Sequence, residues 1–283
     1  MILTYKLFGI FFLIFLLPDT IYPQNLLDYS NSLKYANYLF GSHQYKLAVS
    51  EFERVVFLAP HDTISKLKLI RSYRYSNNFT TARKRIEDFY SGDLNNFPVA
   101  FSDEYIKNLL CENQFQEATD FLRKNISLDI DTRQTYQLGI YVMESRWDEA
   151  SQFVDGPGIH QDRTEKFDAL HEVMIKGLNT RYKNPALAAS LSAVIPGAGR
   201  LYTKQWKDGI FSFLFISAAS WLTYKSYIHS GIDLNSILAG TFTLSFYSAN
   251  IYGSGKSANR YNQRINQTCR TEAEKILLDD QDR

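Results

Sequence analysis

The sequence predicts an all-α fold in two parts: a helix-pair solenoid, then a C-terminal transmembrane helical hairpin with a preceding broken or re-entrant helix. Two observations predict it. An aromatic residue recurs three positions before an alanine at a nearly constant spacing, and the composition becomes apolar and rich in small residues after Asn184. The mean hydropathy of -0.27 indicates that any membrane part is local.

Residues 1–23 are predicted to be a signal peptide or an N-terminal anchor. Lys6 precedes an apolar run from Leu7 to Leu17, which ends at Pro18. A helix of eleven residues extends about 16 Å, which is short for a hydrocarbon core of about 30 Å but typical of a signal sequence. Cleavage of this segment stays open, and both alternatives send the following residues across a membrane.

The aromatic–alanine pair occurs four times, with the alanines 34, 36 and 32 residues apart, and a large apolar residue follows each alanine by four positions. Small residues at such points allow two helices to approach closely, while bulky neighbours fill the space between them. The four copies are Tyr45–Ala48–Phe52, Phe79–Ala82–Ile86, Phe115–Ala118–Leu122 and Trp147–Ala150–Val154.

This pattern resembles the tetratricopeptide repeat, whose period is about 34 residues. In the first copy, Ala36 stands twelve positions before Ala48 and Pro60 closes the unit. The later copies depart from the family pattern, with larger residues at the position of Ala36, namely Ile70, Ile106 and Leu138. We predict tetratricopeptide-like helical repeats over residues 29–182, ending in a capping helix that is marked by Phe167, Leu170, Val173, Met174 and Leu178.

Residues 184–253 are predicted to form a membrane domain and residues 254–283 a polar helical tail. Two segments, Gly209 to Tyr227 and Leu234 to Tyr252, are long enough to span a bilayer as helices. The loop between residues 200 and 207 and the tail both carry lysine and arginine, whereas the turn near Asp233 does not. Basic segments are enriched on the cytoplasmic side of membranes. The predicted location is the inner (cytoplasmic) membrane, with the repeats on the periplasmic or extracytoplasmic side.

This orientation requires residues 185–202 to cross as well, which favours three crossings. A re-entrant segment broken at Pro196-Gly197 is the alternative, and it gives two crossings.

A motif of small and aromatic residues opens the membrane domain. Its pattern, PxxAxxLSxxxPGxGxxY followed by WKDG, resembles a bacterial membrane-domain family of unknown function and, more distantly, the two-transmembrane-helix domain family. Arg200 stands where such sequences often carry glutamine. The resemblance implies membrane residence and no activity. The residues that carry it are Pro185, Ser192, Pro196, Gly197, Gly199, Tyr202, Trp206 and Gly209.

Enzyme, metal and nucleotide motifs are missing from the sequence. Gly255-Lys256-Ser257 imitates the end of a phosphate-binding loop, but Asn250 stands where that loop needs glycine. The five histidines have no metal-ligand spacing, and 31 lysines and arginines against 30 acidic residues leave no basic excess for nucleic acid. We therefore expect no catalytic residue, cofactor, metal, nucleotide or nucleic acid.

One set of residues suggests a binding surface. Eleven residues before each repeat alanine lie Asn37, Arg71, Lys107 and Gly139, and Arg74 is one turn further along. In tetratricopeptide arrays, first-helix positions of this kind line a concave groove. The resemblance therefore implies that Asn37, Arg71, Arg74 and Lys107 hold a peptide, possibly an acidic one, through charge-assisted hydrogen bonds. The alternative is a plain solvated face, and both interpretations expect Arg71 and Lys107 to be solvated.

The sequence thus favours a membrane-anchored protein-protein interaction scaffold of the cell envelope, with a protein or peptide and the lipid bilayer as partners. The alternative function is an accessory subunit for membrane-protein assembly, secretion or transport that acts through its hairpin.

Overall fold

The computed structural model describes residues 27–91, 97–158 and 164–280. Over this part of the chain the structure contains helices and no strand, so the predicted all-α class is confirmed. The predicted signal or anchor segment, residues 1–23, lies outside the described residues.

The helices form two compact units, Met1–Gln114 and Phe115–Arg283. The boundary falls inside the predicted repeat domain. The first unit contains α1 (Tyr29–Gly41), α2 (Tyr45–Leu58), α3 (Thr63–Tyr75), α4 (Phe79–Phe89) and α5 (Val99–Cys111). The second contains α6 (Phe115–Lys124), α7 (Ile130–Met143), α8 (Trp147–Val154), α9 (Glu165–Leu178), α10 (Pro185–Val194), α11 (Ala198–Tyr202), α12 (Trp206–Ser230) and α13 (Leu234–Leu278).

The four repeated aromatic residues each begin a helix, namely α2, α4, α6 and α8. The alanine three positions later is 0% exposed in every case, at Ala48, Ala82, Ala118 and Ala150. The apolar residue four positions after each alanine is also buried. These positions therefore place the small and large residues in the helix contacts that their spacing predicts.

The same turn precedes each of these helices. His43, Asn77, Asn113 and Ser145 have positive φ angles between 58 and 62°. The next residue's N–H donates to a carbonyl five positions back, as from Gln44 to Leu39, at 2.9 Å in all four turns. This bond satisfies a carbonyl that the end of a helix leaves without a partner. The sequence repeat is therefore also a repeat of backbone geometry.

The second unit is organised around α13. Its first half lies against α10 and α12, and its second half lies against α7 and α9. Cys269, Ala273 and Leu277 are at most 2% exposed on this second half. Lys176 of α9 contacts Glu272 at 2.6 Å, and Lys166 donates to the Asp279 carbonyl at 2.8 Å.

This packing changes two expectations. The predicted boundary between residues 253 and 254 lies within one continuous helix, so the tail is not a separate element. The expectation that the tail lies across a membrane from the last helices of the predicted repeat domain does not hold, because the tail packs on α7 and α9. Three crossings require that separation, so they are inconsistent with this structure.

The helices α12 and α13 form an antiparallel hairpin that turns at Gly231. Within the described ranges, none of the helices has the combination of length and hydropathy that membrane crossing requires.

Candidate functional site

The arginines predicted to line a groove lie on α3, where both contact the buried Glu104 of α5. Arg71 Nε is 2.9 Å from Glu104 Oε1, and Arg74 Nε is 2.7 Å from Oε2. Arg74 Nη2 also donates to Oε1 at 3.2 Å. Glu104 is 0% exposed and Arg74 is 4% exposed. This triad satisfies a buried carboxylate, so its first role is to hold α3 against α5.

The other two predicted groove residues also have partners inside the first unit. Lys107 Nζ lies 2.7 Å from Asp103 Oδ2, and Asn37 Oδ1 accepts from Lys68 at 2.6 Å. Lys107 is 4% exposed, so the expectation that it is solvated is wrong. A partner peptide would have to compete with Glu104 and Asp103 for these cations. Peptide binding at this groove stays a prediction.

The equivalent position in the fourth copy, Gly139 of α7, is covered by the chain itself. A Cβ atom built at Gly139 would lie 3.1 and 3.2 Å from the Cδ2 and Cγ atoms of Leu277. The end of α13 therefore occupies the position at α7 that corresponds to Asn37, Arg71 and Lys107 in the other three copies. Leu277 thus packs against the Cα of Gly139, and a larger residue at position 139 would require the Leu277 side chain to move.

The motif of the predicted membrane domain forms the junction of α10, α11, α12 and α13. Asn184 caps α10 by accepting from the N–H groups of Ala186 and Leu187, and Pro185 follows at the first helical position. Ser192 is fully buried; its Oγ accepts from Gly199 N–H at 2.9 Å and lies 2.7 Å from Ser254 Oγ. One serine thus joins three helices.

The motif glycines allow backbones to touch at this junction. Gly199 faces α10, where an added Cβ would overlap the Ala188 carbonyl. Gly197 has a φ of 84°, and an added Cβ would overlap the Gly209 carbonyl in α12. Pro196 precedes this left-handed residue, which explains why the chain breaks between α10 and α11. These glycines are required by close packing.

Polar contacts complete the junction. Thr203 Oγ1 lies 2.6 Å from Ser257 Oγ, and Asn184 N–H donates to the Tyr202 hydroxyl at 3.2 Å. Trp206 begins α12 and is 59% exposed. The motif residues are therefore brought together, except that Trp206 faces outward, and their arrangement is that of a packing site. It contains no nucleophile paired with a base.

The hairpin carries its large apolar side chains on the outside. Phe211, Trp221 and Leu222 are 68, 66 and 64% exposed, whereas Ser212 and Ser236 are buried. Helices in water-soluble proteins normally show the reverse arrangement. The exposed apolar band covers residues 210–228 of α12 and 234–252 of α13.

The second unit also contains a basic cleft, which sequence reasoning missed. It has a volume of about 600 Å³ and lies between the α7–α8 turn and the second half of α13. Its lining residues are Met143, Ser145, Arg260, Gln263, Arg264, Asn266, Gln267 and Arg270. Three of them are arginines and none is acidic. The four-residue spacing of Lys256, Arg260 and Arg264 was the signal in the sequence, since it places all three on one helix face.

Two further features limit the chemistry available. Burial raises the pKa of the Cys269 thiol, which disfavours the reactive thiolate. Among residues 27–91, 97–158 and 164–280, no three histidine, cysteine or acidic side chains gather as metal ligands. Comparison with protein-family models, curated proteins and solved structures finds no match to this chain.

Proposed function

We propose that the protein is a membrane-anchored interaction scaffold, in which tetratricopeptide-like helix pairs bind a protein or peptide and the α12–α13 hairpin enters the bilayer. The observation that carries the membrane part is the exposed apolar band of the hairpin. The repeated turn and the buried alanines support the repeat part.

The dimensions of the band support insertion. Nineteen residues on each helix, 210–228 and 234–252, extend about 28 Å, close to the thickness of a hydrocarbon core of about 30 Å. Between these limits the only lysine, arginine or acidic residue is Lys225. It lies near the tip of the hairpin, where its long side chain can extend to the membrane surface.

Several serine and threonine hydroxyls of the hairpin form hydrogen bonds within it. Thr223 and Thr243 hydroxyls meet at 2.9 Å between the helices, and Ser226 and Ser236 meet at 3.1 Å. Ser245 donates to a carbonyl four residues earlier at 2.8 Å. A hydropathy scale counts these hydroxyl groups as polar, although here they form hydrogen bonds inside the hairpin. Hydroxyl and small residues at helix contacts are typical of membrane helix packing.

The side of the membrane is part of the proposal. An N-terminal signal or anchor favours extracytoplasmic repeats in the inner membrane. If the hairpin enters the bilayer, the contacts of α13 with α7 and α9 favour a common side for these helices and for the basic residues of the tail and of the loop 200–207. The usual cytoplasmic enrichment of such residues favours the opposite side for this unit. We retain the extracytoplasmic assignment, and labelling of single cysteines with a membrane-impermeant reagent separates the two orientations.

Tryptophan fluorescence tests the insertion independently of the N-terminal segment. The full-length protein is placed in vesicles whose lipids carry bromine on their acyl chains, since bromine quenches nearby indoles. We expect quenching in a Trp206→Phe background, its loss when Trp221→Phe is added, and its retention when Trp147→Phe is added instead, because Trp147 packs on Gly177 away from the hairpin. Quenching that is unchanged in Trp221→Phe would refute insertion of the hairpin.

A further inference from the structure

Most of the polar side chains that line the basic cleft have no hydrogen-bond partner among the described residues. Arg260, Gln263, Arg264 and Gln267 make no side-chain hydrogen bond or ion pair with any described residue. An arginine side chain carries five N–H donors, and a glutamine side chain carries two donors and one acceptor, so a face that displays them without partners can bind a polar or anionic ligand. The groove on α3 and α5 differs, because its cations already contact Glu104 and Asp103.

Two residues at the edge of the cleft are held in position. Arg270 Nε lies 3.0 Å from Glu274 Oε1, and the guanidinium stacks 5.5 Å from the centre of the Phe115 ring. Asn266 Oδ1 accepts from the Tyr182 hydroxyl at 2.6 Å, which directs its amide N–H groups elsewhere. Tyr182 in turn accepts from Trp147 Nε1 at 2.6 Å. The cleft thus combines fixed donors with two adaptable arginines.

The net charge of this face is positive. From Leu234 to Thr271, α13 contains no acidic residue, and the first one is Glu272, which contacts Lys176. On the facing turn, Glu144 and Glu149 both contact Arg146, at 3.1 Å each. Of the carboxylates near the cleft, Glu274 contacts a lining residue, Arg270. The cleft therefore favours an anionic ligand.

The distance from the apolar band argues against a lipid headgroup. Arg260 and Arg270 follow Tyr252 by 8 and 18 residues, which places them about 12 and 27 Å beyond the band along α13. The headgroup layer is only about 5–8 Å thick on each side of the core. Lys256 lies within that layer, whereas the cleft lies beyond it.

We propose that the cleft between the α7–α8 turn and α13, lined by Arg260, Arg264 and Arg270, binds an acidic segment of a partner protein. The arginines contact carboxylates through charge-assisted hydrogen bonds, and the three amide side chains contact the backbone of the segment. The balanced overall charge favours a peptide over a nucleic acid. This inference rests on the proposed scaffold function and names its binding site and the chemistry of the partner.

The test uses the full-length protein in nanodiscs of neutral phosphatidylcholine, with fluorescein-labelled hexaglutamate and hexaglutamine as probes in fluorescence polarisation. We expect hexaglutamate to bind more tightly, with an affinity that falls as salt is added. Arg264→Gln should weaken binding about tenfold or more, because it removes a charge-assisted bond. Lys124→Gln, which removes the same charge from an exposed position on α6, should change the affinity less than twofold.

Three results would overturn the inference: hexaglutamate affinity within twofold of wild type in Arg264→Gln, equal binding of the two peptides, or no binding of hexaglutamate. A labelled hexauridylate that binds more tightly and is lost in Arg264→Gln would replace the peptide with a nucleic acid. Quenching through Trp221 reports on the anchor in the same nanodiscs when brominated lipid is used. Failure of the cleft and failure of the membrane proposal are therefore distinguishable.

Discussion

Replacing Gly199 with alanine tests whether the motif at the base of the hairpin is a packing site. Gly199 lies in α11 with its Cα against the backbone of α10. An added Cβ would lie 2.7 Å from the Ala188 carbonyl carbon and closer to its oxygen, and 2.8 Å from Ser192 Oγ. The carbonyl belongs to a helix and cannot rotate away, so α10 and α11 must separate.

Such overpacking costs about 1–3 kcal/mol or more. It also disturbs the bond from Gly199 N–H to Ser192 Oγ. A matched control is Gly240→Ala in α13, whose added Cβ would meet Thr223 Cγ2 at 3.7 Å, an ordinary contact. Because alanine favours a helix over glycine by about 1 kcal/mol, this control should be neutral or stabilising.

The assay is thermal unfolding of the full-length protein in detergent, in a Cys111→Ser background, followed with a dye that fluoresces on reaction with exposed thiols. Cys269 is 1% exposed and becomes reactive when the second unit unfolds. At about 2–4 °C per kcal/mol for a unit of this size, Gly199→Ala should lower the midpoint by roughly 2–12 °C. Equal midpoints for the Gly199 and Gly240 variants would refute the packing role of the motif.

Two predictions concern the first unit. Ala82→Leu should lower the free energy of unfolding by about 1–3 kcal/mol, because Ala82 is 0% exposed between helices. Lys84→Leu, on the exposed face of the same helix, should change it little. Circular dichroism during urea unfolding measures both. Glu104→Gln should lower the free energy of unfolding by about 3–5 kcal/mol, because it leaves two arginines beside a neutral amide. The control is Asp88→Asn, which removes the exposed partner of Arg85 and should cost at most about 1 kcal/mol. Similar losses in the two variants would contradict the role of Glu104 as a buried ion-pair partner.

Local patterns predicted the helices well. The aromatic–alanine spacing located the starts of α2, α4, α6 and α8, since each depends on residues only a few positions apart. The turns at His43 and Asn77 had a sequence signal that the repeat prediction did not use, because histidine and asparagine are several-fold enriched among residues with positive φ.

Contacts between distant segments were beyond the sequence patterns. The ion pairs of Arg71 and Arg74 depend on Glu104, about one repeat later in the chain, and counting residues along α3 does not reveal that partner. Packing of α13 on α7 and α9 joins residues such as Gly139 and Leu277, which are separated by most of the second unit. The charge of the tail therefore indicates a side of the membrane, but it does not reveal that the tail forms one wall of a cleft.

The central claim is that α12 and α13 cross a bilayer as a hairpin while α9 and the second half of α13 remain together on one side. Single cysteines introduced at Asn179, Thr271 and Ser230 in a Cys111→Ser background test it, because native Cys269 is buried. A membrane-impermeant maleimide is added to intact cells and then to opened cells. We expect the reporters at Asn179 and Thr271 to react from the same side, the outer side for extracytoplasmic repeats, and the reporter at Ser230 to react only from the other side. Labelling of all three from one side, or labelling of Asn179 and Thr271 from opposite sides, would contradict the account.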